Sequence, residues 1–537
     1  MSLEKYSSPY SLPEAIDLSH HLSILSQSRL ESPLKGLQRF FGKPGMLSLA
    51  GGLPSTEYFP FEALKADVQP YDSFAVKPES AAQGGPLSWI WNLFGSKKDT
   101  TIPITVPKYP EHEGDVNLAV ALQYGLSKGL PQLQAIINEF SSKVYRPAYA
   151  NFTTILHAGN TDGWMKAVTT LCNPGEGVLT SEWTYPSALA TMHPFGIRAV
   201  PVGMDSEGMS SESLSQVLSG WDEVARGMPR PHVMYIVPVG QNPTGATMGA
   251  ARKKAIYEIC VKYDVIIVED DPYYFLQEGP YVHPSLRSSR VKHTQLTDEE
   301  YIANLAPSFL RFDYQGRVVR LDTFSKTIAP GSRLGWFTCN ALFAERLERQ
   351  AETSTQAPCG FGQSLITQLL LNWKFSGYLR WLKGLGVQYT DRRDYFIDCL
   401  VEKFHLELAP AAQFGGSMRY TAYDLTTPYS EKAKKKPLFS FVPPSSGMFI
   451  WLQLHLEDHP QFKALGQETL EMQLWVALAE GGVLFGPGNM FSADRSGDEA
   501  SKPGHFRISF SNAEFADLKK AVDIFAKVLY KFYNKSH

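Results

Sequence analysis

Lys326 stands in RLDTFSKTIAPGSRLGW, just behind an apolar run, with Thr323 and Ser325 before it and Arg333 seven residues on. Hydroxyls and a guanidinium in that arrangement can bind a phosphate. A neighbouring cation also disfavours the protonated amine, so the lysine can attack a carbonyl; the plainer alternative is a solvated lysine in a Ser/Thr loop. A second candidate is DVIIVEDDPYY, which puts Asp270 and Asp271 directly behind a buried strand and Tyr273 shortly after. An acid in that position is costly without a partner; otherwise Asp270 caps the next turn and Pro272 ends the strand. Asn242 in VPVGQNPTGA is either an amide donor held at a strand end or simply a turn starter. The glycine-rich HAGNTDGW (157–164) joins a strand to a helix, and its N–H groups can hold a phosphate. It is not GxGxxG, so no dinucleotide is implied. Arg507, in the alternating run HFRISFS, can clamp a carboxylate with two parallel hydrogen bonds, or sit half-exposed in a surface ion pair.

The elements that would position these residues are short and regular. TTILHAG (153–159), GVLTSE (177–182), VMYIVP (233–238), DVIIVED (264–270) and RVVRLDTFS (317–325) read as strands, separated by helical patterns such as NTDGWMKAVTTLC and ARKKAIYEICVKY. Apolar strands spaced by helices predict a parallel sheet covered on both faces, with ligands at the carboxyl ends of its strands. Long helices follow at 363–405, then strands near 447–454, 482–488 and 505–511 and a terminal helix, which predict a second, α+β domain. The division expected is an N-terminal arm (1–45), a segment serving the small domain and the pocket (46–68), an insertion (69–115), a large cofactor-binding domain (116–350) and a small C-terminal domain (351–537). Further insertions are expected at 283–314 and in the Lys-rich 424–440, whose KAKKK reads as a solvated loop. An acid, a lysine, a phosphate cradle and a carboxylate clamp at successive strand ends are the parts pyridoxal phosphate needs: an amine for its aldehyde, an acid for its pyridine nitrogen, and hydroxyls, Arg and a helix N-terminus for its phosphate.

Composition narrows the classes. Lys+Arg number 51 against 54 Asp+Glu, a net charge of -3 in 537 residues, so no overall basic field draws nucleic acid or an anionic membrane. Mean hydropathy is -0.20 and no apolar run approaches ~20 residues, so no membrane span is expected. The polar N-terminus, with early acids, reads as neither a signal nor a transit peptide. Five cysteines without CxxC spacing predict a reducing, cytoplasmic setting with neither disulfides nor a zinc site, and the histidines show no HExxH or other metal spacing.

The ordered set AGGLP (50–54), LQYGLSKG (122–129), NPTG (242–245), EDDPYYF (269–275), SKTIAPGSRLG (325–335) and FRISFS (506–511) resembles the fold-type I pyridoxal-phosphate aminotransferases, particularly the aromatic-amino-acid and 2-aminoadipate/kynurenine group of fungal type. The resemblance runs over roughly 30–537 outside the insertions. It implies an α/β fold: a large domain with a mostly parallel seven-stranded sheet, and a smaller α+β C-terminal domain. It further implies that Lys326 bonds the cofactor's aldehyde, Asp270 pairs with the pyridinium nitrogen, Asn242 and Tyr273 bond the ring's phenolate oxygen, and Tyr185 stacks on the ring. Asn160, Thr161, Thr323, Ser325 and Arg333 would take the phosphate. Tyr124 would reach the neighbouring subunit's phosphate, which implies a homodimer. Arg507 would bind the substrate's α-carboxylate, with Gly52 near it and Lys35 toward a side-chain carboxylate. The activity implied is transfer of an amino group from phenylalanine, tyrosine or tryptophan to 2-oxoglutarate or another 2-oxo acid. The alternatives are 2-aminoadipate or kynurenine as donor, or a lyase that uses the same cofactor.

Overall fold

The computed structural model describes residues 12–33, 43, 45, 49–50, 52–74, 101–112, 114–289, 296–410, 418–423, 436–494 and 503–533. Lys35 lies outside the described residues, as do 75–100, 290–295 and 424–435 of the three expected insertions.

Seven strands form the large sheet: Phe152–His157 (β1), Gly177–Ser181 (β2), Arg198–Val202 (β3), Val233–Ile236 (β4), Ile266–Asp270 (β5), Val318–Thr323 (β6) and Gly335–Asn340 (β7). Their spatial order is β1-β7-β6-β5-β4-β2-β3, and only β7 runs against its neighbours. The turn between β6 and β7 is too short for a crossover helix, so β7 has to return antiparallel. β3 carries Pro201 and lies at an edge, where the missing N–H leaves no ladder bond open. β2, β4, β5, β6 and β7 are buried along their whole length, which is why their sequences are continuous rather than alternating.

A six-stranded antiparallel sheet follows in the C-terminal half: His405–Pro410 (β8), Met418–Tyr423 (β9), Pro437–Phe441 (β10), Phe449–Leu454 (β11), Gly486–Pro487 (β12) and His505–Ser509 (β13), in the order β8-β9-β10-β11-β13-β12. Between the two sheets runs a long helical segment, Gly360–Lys403, broken at Lys374. Its first half packs with the large sheet through Ile366, Leu370 and Leu379; its last turns pack with the second sheet through Phe396 and Leu400. The boundary expected at 350/351 therefore falls ahead of a helix shared by both layers.

The three expected insertions carry regular structure toward their C-terminal ends. Ile102–Pro107 pairs antiparallel with Ala63–Val68 and buries Ile104 and Val106, an alternation that IPITVP carries openly. Within 283–314, Asp298–Asn304 is a helix closed by a Thr297/Glu300 capping box, and Ser308 bonds the buried Glu269. In 424–440, the end of the Lys-rich loop is β10, with Phe439 and Ser440 fully buried.

Residues 12–33 lie over the large sheet: Ile16 N–H donates to the Gln315 carbonyl (3.0 Å) and Ser23 N–H to the Thr170 carbonyl (2.9 Å). His21, 2 % exposed, places Nε2 3.0 Å from Asp264 Oδ1 and Nδ1 2.9 Å from His232 Nδ1. Burial pulls the His21 imidazole from 6.5 down to about 4, against the Asp264 hydrogen bond. It is neutral at pH 7, with Nε2 donating to Asp264 and Nδ1 accepting from His232. A histidine whose folded value lies below its unfolded one adds stability above pH 6.5 and loses it as pH falls toward 4. Hydrogen exchange at residues 15–23, corrected for intrinsic rate, is expected to quicken over that interval. Unchanged protection at pH 4.5 would remove this latch. No helix among the described residues is long and apolar enough to cross a membrane.

Candidate active site

The carboxyl ends of β4, β5 and β6 open on a cavity of about 420 Å³, closed on the far side by β11 and β13. Asp270 is the last residue of β5 and faces this cavity; Glu269 and Asp271, pointing to the other side of the sheet by strand alternation, pair there with the buried Arg320, each at 3.1 Å. The two adjacent aspartates thus have different tasks. Asp270 Oδ1 accepts from Asn160 Nδ2 and Oδ2 from the Tyr235 hydroxyl, both at 2.6 Å. Burial pushes the Asp270 carboxyl above its ordinary range, against those two hydrogen bonds.

Lys326, just past the end of β6, also lines the cavity. Burial holds its amine below the usual lysine value, helped by the charges of Arg333 and Arg507. Thr323 Oγ1 and Ser325 Oγ lie 2.8 Å apart, and Arg333 Nη1 stands 3.5 Å from Ser325 Oγ. Arg333 Nη2 donates to the Ala158 carbonyl (2.9 Å) across Gly159, where a Cβ would meet that nitrogen at 2.2 Å. Gly159 has φ +95° and precedes helix Asn160–Leu171 (α1), whose first N–H groups face the same space. Asn242 Oδ1 accepts from Arg507 Nη1 (2.9 Å), and the Arg507 guanidinium lies over the Phe449 and Phe491 rings at 4.5 and 4.8 Å. Burial raises the Tyr273 phenol and keeps it protonated. Gly240 allows this meeting of the two layers: a Cβ there would lie 2.6 Å from Gly447 Cα, just ahead of β11.

Lys326, Asp270, Tyr273, Asn242, Tyr185, Asn160, Thr161, Thr323, Ser325, Arg333 and Arg507 all line this one cavity. Tyr124 and Gly52 do not; both are exposed. The Asn160 side-chain amide is taken by Asp270 and by the Leu321 carbonyl (3.2 Å). Tyr235, Trp164, Met448 and Phe449 are also in the lining. Tyr235 had a signal in the sequence: a phenol inside the apolar run VMYIVP needs a buried acceptor.

The donors suit pyridoxal phosphate. Both oxygens of Asp270 take neutral donors, so its charge is available to a protonated ring nitrogen. Arg507 Nε is buried without a hydrogen-bond partner. Three cationic side chains, two hydroxyls and a helix N-terminus converge where a phosphate and a carboxylate would sit.

Residues 120–525 match the family model described as aminotransferase class I and II. An aromatic amino acid aminotransferase of Schizosaccharomyces pombe is 36 % identical over 96 % of this chain and 98 % of its own length. An L-tyrosine:2-oxoglutarate aminotransferase of Tapinella panuoides is 31 % identical over 98 % of each. The crystal structure of the aminotransferase Aro8 from Candida albicans superposes with a TM-score of 0.81 at 34 % identity, covering 97 % of this chain and 99 % of that one. A family model over most of the chain, and relatives alike nearly from end to end, place this chain in the class I and II aminotransferases, a pyridoxal-phosphate family.

Proposed function

We propose that this enzyme transfers the amino group of an aromatic L-amino acid to a 2-oxo acid, with 2-oxoglutarate as acceptor. The observation that carries the reading is the convergence of Lys326, Asp270, Asn242 and Arg507 on one cavity. The aromatic donor rests on the names of the relatives and on Trp164, Met448 and Phe449 in the lining.

Lys326 would hold the cofactor's aldehyde, Asp270 its ring nitrogen, Asn242 and Tyr273 its ring oxygen, and Tyr185 would cover the ring. Thr323, Ser325, Arg333 and the N–H groups around Thr161 would hold the phosphate. The bound cofactor supplies an electron sink for charge developing at the substrate's α-carbon. Arg507 grips the α-carboxylate, oriented beforehand by Asn242 and the two phenyl faces. With its amine held below the usual value, Lys326 Nζ takes the α-proton and returns it on the other side of the transfer. The two substrates use one site in turn, so the kinetics are ping-pong.

Tyr124 is 59 % exposed, and Leu53, Tyr109, Val120 and Leu126 are exposed as well. Gln123 ties this region to the Pro54 carbonyl (2.8 Å), and Tyr109 bonds Thr56. Exposed apolar side chains on these linked segments support a homodimer in which Tyr124 serves the partner's site.

Phenylalanine, tyrosine and tryptophan are expected to lead a donor panel run with 2-oxoglutarate, ahead of 2-aminoadipate and kynurenine. Product formed equally well without any acceptor would make the protein a lyase instead. Arg507→Lys keeps the charge but loses the fork. It is expected to raise KM for donor and acceptor about 10- to 100-fold, with kcat moving less. An unchanged KM for both would remove Arg507 from the carboxylate.

A further inference from the structure

We propose that Asn160 and Tyr235 form a positioning pair that fixes the Asp270 carboxylate and keeps it charged, and that the Asn160 side chain acts there rather than on the cofactor's phosphate. The inference rests on the reading of the cavity as a pyridoxal-phosphate site.

Asn160 opens helix α1 directly behind Gly159. Arg333 passes over that glycine to the Ala158 carbonyl, so the phosphate end of the cavity already has its guanidinium at the turn. The Asn160 side chain leans instead toward the ends of β5 and β6. Both hydrogens of its Nδ2 are taken, one by Asp270 Oδ1 and one by the Leu321 carbonyl. The partners decide which way the amide lies: both are acceptors, so the nitrogen faces them. Only Oδ1 remains, buried and unpartnered, and an oxygen acceptor repels a phosphate. The Asn160 side chain therefore cannot donate to the phosphate without releasing Asp270 or the Leu321 carbonyl.

Tyr235 approaches from the neighbouring strand β4, paired with Val268 of β5. It is 1 % exposed, and the Trp164 ring packs on it at 4.5 Å. Burial lifts its phenol well above the usual value, so it keeps its proton and donates. Each oxygen of Asp270 thus has one neutral donor. A lysine or arginine in their place would cancel the carboxylate's charge; neutral donors favour the ionised form and leave its field for a protonated ring nitrogen.

The test uses the full-length holoenzyme loaded with pyridoxal phosphate carrying ¹⁵N in the ring, whose NMR shift reports protonation of that nitrogen. In wild type the ring nitrogen is expected to stay protonated through neutral pH. In Tyr235→Phe, which removes one oxygen atom, and in Asn160→Leu, it is expected to lose its proton at lower pH, with kcat down roughly 10- to 100-fold, as for other lost supporting hydrogen bonds. Asn160→Leu is also expected to weaken binding of pyridoxal phosphate and of phosphate-free pyridoxal by the same factor. Weakening confined to the phosphorylated form would return Asn160 to the phosphate and overturn the proposal. An unmoved ring-nitrogen titration in both variants would overturn it too. A wild-type protein that binds no pyridoxal phosphate would instead fail the underlying reading, and so brings the pair down with it.

Discussion

Lys326→Ala is expected to lower turnover by at least about 10³-fold, the upper part of the range for a lost general base. No other amine among the residues lining the cavity can replace it, since the remaining cations there are the guanidiniums of Arg333 and Arg507. A guanidinium does not give up a proton near neutral pH. The amine is poised because burial and two nearby positive charges all favour its neutral form. Two readouts separate its roles. The visible absorbance of the bound cofactor should change in the variant, reporting loss of the bond to the lysine. Added small primary amines should recover part of the rate, reporting restored proton transfer. Activity within tenfold of wild type would mean that another group moves the proton.

Asp270→Ala is expected to be nearly as severe, at about 10- to 1000-fold in kcat, because a facing charge moves a partner's protonation by about one to three pH units. Some cofactor should still bind, since Thr323, Ser325, Arg333 and Lys326 are untouched. The sign of the pH dependence is the sharper test. Without the carboxylate, the ring nitrogen depends on solvent for its proton, so the residual rate should rise as pH falls. In wild type, lowering the pH protonates Asp270 and works against turnover. Near-normal activity, or a variant profile parallel to that of wild type, would refute the role. Asp271→Ala is a different experiment: its carboxylate pairs with buried Arg320 on the opposite face of the sheet, so stability should fall and cofactor protonation should not move.

Much of this site is legible in the chain because parallel sheets concentrate ligand contacts at strand ends. Lys326, Asp270 and Asn242 each stand within a few residues of the end of an apolar run, so one-dimensional order already puts them at one end of one sheet. Arg507 is different. It lies in another sheet, and its arrival over Asn242 depends on the close approach of Gly240 and Gly447, which no local pattern announces. Strand β7 is another such case, since its direction follows from the length of a turn rather than from its own residues. The ends of the expected insertions show the reverse: IPITVP and the apolar end of KPLFSF carry strand patterns, but their Pro- and Lys-rich neighbours mask them.

What the amino-acid order determined by itself was the inventory: which groups can bond an aldehyde, pair with a ring nitrogen, hold a phosphate or clamp a carboxylate, and on which strand ends they sit. The tertiary structure decided the partners. It turned Asp271 away from Asp270, and brought Tyr235 from the adjacent strand and the Asn160 amide from the helix start to the same carboxylate. The reason is geometric. Strand alternation and helix position fix where a side chain starts, whereas the partner it meets is set by packing between elements far apart in the chain, where every buried polar atom competes for the few donors and acceptors within reach.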